Sequence, residues 1–273
     1  MRHINQRFIH DLLSGYLSFF GDKVKSNRDI FSLEIRDGYV NIYYKGGSLL
    51  KITQKKKGYS FKFDAKYCKN KGDDSSFELL SNLSSSDRDE YIRHFDLMMR
   101  EMDSWFSCHH KPERDYQHQL LVNNPEIIDI EYQIGRRMRL DMLYYKDNKV
   151  VIVENKYGMG AIGGKAGISA HYDDICGVLN DQALLDEMLD SVCRISKAKK
   201  ALGLTDTEIT RDGISGVEIL FLLADYNQKS QSFANEIAKM SGAFPASILM
   251  TSSDLVKIDL SRAKSVFATE ARK

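Results

Sequence analysis

Asp141, Glu154 and Lys156 are the residues of this chain whose types and spacing could do chemistry together. They lie in RRMRLDMLYYKDNKVVIVENKY, residues 136–157, where apolar and β-branched runs flank Asp147-Asn148. That pattern predicts two strands joined by a tight turn. With Asp147 and Asn148 as the loop, Lys146 faces Lys149, and counting back from the turn sets Asp141 opposite Glu154. Opposed residues share a sheet face, as do residues two apart on one strand. All three side chains are therefore expected on one face.

Two adjacent carboxylates repel, and burying them is unfavourable without a cation between them. Carboxylate oxygens with room left for water and phosphate suit magnesium, with manganese able to substitute, and a neighbouring ammonium can orient a water or stabilise charge at phosphorus. Such a trio serves phosphodiester hydrolysis. The plainer reading is a solvated hairpin face whose charges form weak surface pairs. Val150 to Val153 is apolar on both faces, which predicts a central strand and favours a functional role for the charges at its end.

Leu140-Asp141, twelve intervening residues and then Glu154-Asn155-Lys156 resemble the signature of the PD-(D/E)XK nuclease superfamily, with Leu140 where a proline is usual. The resemblance implies that Asp141 and Glu154, with the backbone carbonyl of Asn155, bind magnesium and that Lys156 assists attack by water. A glutamate on the helix before the first core strand often joins such a site, and Glu113 stands there. It equally suits the start of its helix, where negative charge is favourable. The matched positions Glu113, Gln117, Asn124 and Pro125 also resemble a stretch found in Shedu-like defence nucleases.

The elements that must position these residues can be traced along the chain. A helix is expected over residues 5–20, an antiparallel meander of about four strands over 31–67, a polar loop over 69–76, and a helical segment from Ser84 with Tyr91, Phe95, Met98, Met99, Met102 and Phe106 on its buried face. Then come a helix at 113–122, strands at 127–133, 138–146 and 149–155, a helix at 169–191, a buried strand at 216–226, a short helix near 232–240 and a strand at 246–251. The order implies an α/β protein with a restriction-endonuclease-like α-β-β-β-α-β core and a mixed central sheet. An α+β module rich in antiparallel strands precedes it. The expected domains are 1–105, of unknown role, and 106–273, nuclease-like.

Several local features invite other readings. Asp64-Ala65-Lys66 repeats the acid-x-lysine pattern, but the preceding Asp37 sits in a turn. The loop GMGAIGGKAG, residues 158–167, misses the phosphate-binding spacing by one residue and has Ala166 where a hydroxyl would hold magnesium. A loop bordering the site, with Lys165 on a phosphate backbone, fits better. Cys108-His109-His110 lacks a second ligand pair for zinc. Arg137 and Arg139 adjoin the metal strand and are expected at a nucleic acid backbone, as are His171 and Tyr172, with a structural hydrogen bond the alternative for His171. Basic clusters at 51–62 and 196–200 read as solvated surface, and Lys55 to Lys57 as a turn that discourages edge pairing.

The 273 residues carry a net charge of +1, so any nucleic acid surface must be a local patch. Four scattered cysteines and the lack of a continuous apolar leader or span fit a cytoplasmic protein with no membrane partner. The expected function is a magnesium-dependent endonuclease acting on DNA, in restriction or defence. The alternatives are a non-catalytic nucleic-acid-binding or scaffold protein and a nuclease acting on RNA. Cutting both strands would favour a homodimer, although no interface is legible.

Overall fold

A computed structural model describes residues 2–68, 75–134, 138–158, 162–164, 167–226 and 230–267. The chain divides into two compact units, one of residues 1–118 with 194–208, the other of residues 119–193 with 209–273. The boundary expected near Trp105 falls inside a helix, and the first unit runs on to His118 and takes back a later segment.

The first unit opens with α1 (Gln6–Leu13) and α2 (Ser18–Ser26), where one helix was expected. The break follows from Gly15: the backbone folds back so closely that a Cβ there would lie 2.9 Å from Asp11 Cα. Four antiparallel strands follow in spatial order, β1 (Phe31–Ile35), β2 (Tyr39–Tyr44), β3 (Gly47–Gln54) and β4 (Tyr59–Lys62). Then come α3 (Ser75–Ser81), α4 (Arg88–Arg93), α5 (Phe95–Cys108) and α6 (Pro112–Asn123), the last crossing into the second unit. The polar loop expected at 69–76 lies largely outside the described residues, apart from the start of α3.

Period-two alternation turns Leu33, Ile35, Val40, Ile42, Ile52 and Phe61 to the buried face. Phe20 meets Phe61 and Phe95 there at centroid distances of 5.8 and 6.0 Å, and Met98 and Met102 are fully buried. The methionine and aromatic run of α5 is thus core, except that Met99 is half-buried. Removing side chains of this size from such a core costs about 3–5 kcal/mol each.

The second unit is built on β5 (Ile127–Ile134), β6 (Met138–Lys146), β7 (Lys149–Tyr157), α7 (Ile168–Asn180), α8 (Gln182–Ala201), β8 (Gly216–Ala224), α9 (Gln231–Ala238), β9 (Ala246–Thr251) and β10 (Lys264–Ser265). The six strands form a mixed sheet in the order β10-β9-β8-β7-β6-β5. β5, β6 and β7 run antiparallel, whereas β8 is parallel to both β7 and β9. The helix expected at 169–191 is two helices, because Asp181 caps the second through hydrogen bonds from Ala183 N and Leu184 N. No helix among the described residues is long and apolar enough to cross a membrane.

Candidate active site

The hairpin that carries the acidic residues forms as counted. Asp147 and Asn148 have φ of 49° and 63°, the left-handed pair that a type I′ turn needs and that these side chains tolerate. Pairing runs from Lys146↔Lys149 back to Met142↔Val153. One step further the ladder gives way to a side chain: the Asn155 N–H donates to Asp141 Oδ2 at 3.0 Å. Beyond that point β7 continues against β8, with Glu154 beside Phe221 and Lys156 beside Leu223. Val150 to Val153 is buried throughout, as expected of a central strand.

Charge then collects at one end of a buried strand. Glu154 and Lys156 are buried and Asp141 partly so. Lys156 Nζ donates to Glu154 Oε1 at 2.9 Å, and His171 Nδ1, from α7, lies 3.2 Å from the same oxygen. Burial pushes the Asp141 carboxyl up to about 7, and the Glu154 charge adds to the rise. The Asn155 N–H, Lys156 and His171 pull it back. His171 is itself lowered, by burial first and the Lys156 ammonium second, against Asp141 and Asp174. Among the described residues, two close carboxylates thus share the Lys156 ammonium, with His171 beside them.

Two close, largely buried carboxylates are oxygen donors that a hard divalent cation would suit, with Asp141 and Glu154 as its ligands. Among the described residues no group of three or more His, Cys, Asp or Glu side chains is arranged to hold a metal. Waters and substrate oxygens would have to complete the shell, which is usual for magnesium. Asn155 alternates to the opposite face, where its buried Oδ1 has no hydrogen-bond partner among the described residues.

The other expected site residues are placed as follows. Glu113 is exposed in the first turn of α6 and belongs to the first unit, whereas Asp141, Glu154 and Lys156 belong to the second. Arg139 is 64% exposed and sits 3.3 Å from Glu131 Oε1. Arg137 and Lys165 lie outside the described residues. Tyr172 is fully buried, its hydroxyl donating to Phe244 O at 2.8 Å and accepting from Phe244 N at 2.9 Å. Its role is to tie α7 to the chain before β9 rather than to touch a ligand. Tyr172→Phe should lower unfolding free energy by about 1–2 kcal/mol, read as a lower denaturant midpoint with an unchanged slope.

The competing motifs resolve locally. Asp64 and Lys66 pair at 2.9 Å with both side chains about half exposed, which is a surface ion pair. His109 stacks on Trp105 at 3.7 Å beyond the end of α5, while Cys108 is exposed. Asn124 of the Asn-Pro pair is a clamp: its Nδ2 donates to Leu120 O and Val256 O, and its Oδ1 accepts from Ile258 N.

Glu236 escaped the sequence reading. It is buried on α9 and accepts from Ser169 Oγ and Lys239 Nζ, which joins α9 to the first turn of α7, two residues before His171. The i,i+3 spacing of Glu236 and Lys239 is the one trace of this in the sequence. Comparison of the chain with known protein families, with curated proteins and with solved structures returned no match.

Proposed function

We propose that the second unit is a metal-dependent nuclease that hydrolyses phosphodiester bonds in DNA. The observation that carries this reading is the convergence of Asp141, Glu154 and Lys156 at the end of buried β7, with Asp141 raised to about 7 by burial and by Glu154. Buried groups perturbed in this way are characteristic of functional sites. The order α6-β5-β6-β7-α7, followed through α8 by β8, supports a restriction-endonuclease-like core.

Magnesium, or manganese in its place, would be held by Asp141 and Glu154 and would supply a water of lowered pKa and positive charge beside the phosphoryl oxygens. Lys156 has further donors on Nζ besides the one given to Glu154, so it can orient a water towards phosphorus and offset the negative charge that builds there. The Asn155 N–H fixes the Asp141 carboxylate, and His171 steadies Glu154 from α7. Glu113 enters as a further acid through the resemblance alone. Arg139 offers an exposed guanidinium on the strand that carries Asp141, suited to a phosphate.

One observation favours a second reading. Glu154 Oε1 is already shared by Lys156 and His171, an arrangement that a non-catalytic nucleic-acid-binding scaffold could keep for stability. Incubation with linear and circular DNA and with RNA, with magnesium, manganese or a chelator, separates the two. Metal-dependent cleavage of DNA, lost in Asp141→Ala, is the expected result, and cutting of the circle would establish endonuclease action. Binding without turnover of any substrate by the wild type would overturn the nuclease in favour of the scaffold.

A further inference from the structure

The four-stranded sheet of the first unit has a second, polar face. Its register aligns Glu34, Asn41, Lys51 and Lys62 in one row, each directly opposite the next across β1, β2, β3 and β4. The carboxylate of that row is spoken for, since buried Glu34 takes Lys199 Nζ at 2.8 Å. At the other end, Lys51 and Lys62 face each other with no carboxylate within 4 Å of either ammonium among the described residues, although Lys62 helps to lower the Asp64 pKa and Lys51 Nζ lies 3.8 Å from the Tyr39 ring centroid. The β3–β4 turn adds exposed Lys55, Lys56 and Lys57.

Directly opposed like charges repel across a sheet, a cost that the Lys51–Tyr39 cation–π contact offsets in part. The strain is legible in Lys51, whose pKa is lowered by burial and then by Lys62 and Lys55. Protection of an exposed edge explains lysines on β4 and in the turn, but Lys51 is on β3, an interior strand. The cost has a simple return if the lysines face a polyanion.

We propose that the polar face of this sheet at β3 and β4 docks the phosphate backbone of a nucleic acid, without reading its bases. The naming of the polyanion rests on the proposed function, whereas the charge arrangement does not. An anionic membrane surface fits less well, because membrane-binding faces set large apolar side chains beside their cations. The large hydrophobics exposed among the described residues are Tyr16, Leu79, Val122 and Leu255, none of them on this sheet.

The test uses the full chain, a chelator to suppress cleavage, and a short fluorescein-labelled DNA duplex titrated at several salt concentrations. Lys51→Gln/Lys55→Gln/Lys62→Gln should weaken binding at least about ten-fold at low salt and reduce the slope of log affinity against log salt by about 2 to 3. The same variant should melt close to the wild-type temperature, since it removes both the repulsion and the Lys51–Tyr39 contact, so lost binding would not reflect lost fold. Unchanged affinity and slope would overturn the proposal, as would a variant that loses binding to phosphatidylserine vesicles but keeps it to DNA. Cleavage that is normal in the lysine variant with unchanged binding sinks the docking face alone, and lysine-dependent binding without any cleavage sinks the nuclease alone.

Discussion

Lys156→Ala is expected to lower metal-dependent DNA cleavage by at least ~10²-fold, the scale lost when one charge-stabilising donor is removed from a preorganised site. The side chain is buried and its ammonium lies 2.9 Å from Glu154 Oε1, so no surface lysine can stand in for it. The replacement also removes the Lys156 charge that holds the Asp141 pKa down, which should raise Asp141 further. Initial cleavage rates at saturating magnesium, alongside far-ultraviolet circular dichroism, separate lost chemistry from lost fold. A folded Lys156→Ala protein that cuts within ~3-fold of the wild type would remove Lys156 from the mechanism.

Lys199→Met should destabilise the first unit by about 3–5 kcal/mol, because it withdraws the ammonium 2.8 Å from the buried Glu34 carboxylate. Lys199 lies in the 194–208 segment that returns to this unit, so the same pair fixes that segment against β1. Denaturant unfolding should show a lower midpoint. Adding Glu34→Leu should recover most of the loss, since an apolar pair avoids the desolvation that the ion pair carries. A single variant within ~0.5 kcal/mol of the wild type would show that the buried carboxylate does not depend on Lys199.

The hairpin at the candidate site was legible because its information is local. Asp147-Asn148 set the turn, the turn set the register, and the register put Asp141 at the level of Glu154. Helix ends were less legible. Asp181 looked like one more polar residue of a continuous helix, yet its carboxylate begins a second one, and Gly15 divides another. Caps and close turns decide such breaks, and a periodic apolar pattern runs straight through them.

By itself the sequence determined the strands and helices that carry the acidic residues, the face those residues share, and the burial of β7, since turn chemistry and hydrophobic period act over a few neighbours. Only the tertiary structure decided that His171 reaches Glu154, that Tyr172 closes on Phe244, that Asn124 clamps the chain at Val256 and Ile258, and that Lys199 neutralises Glu34. Each of these joins residues far apart in the chain, where the choice of partner depends on which groups burial leaves in need of one.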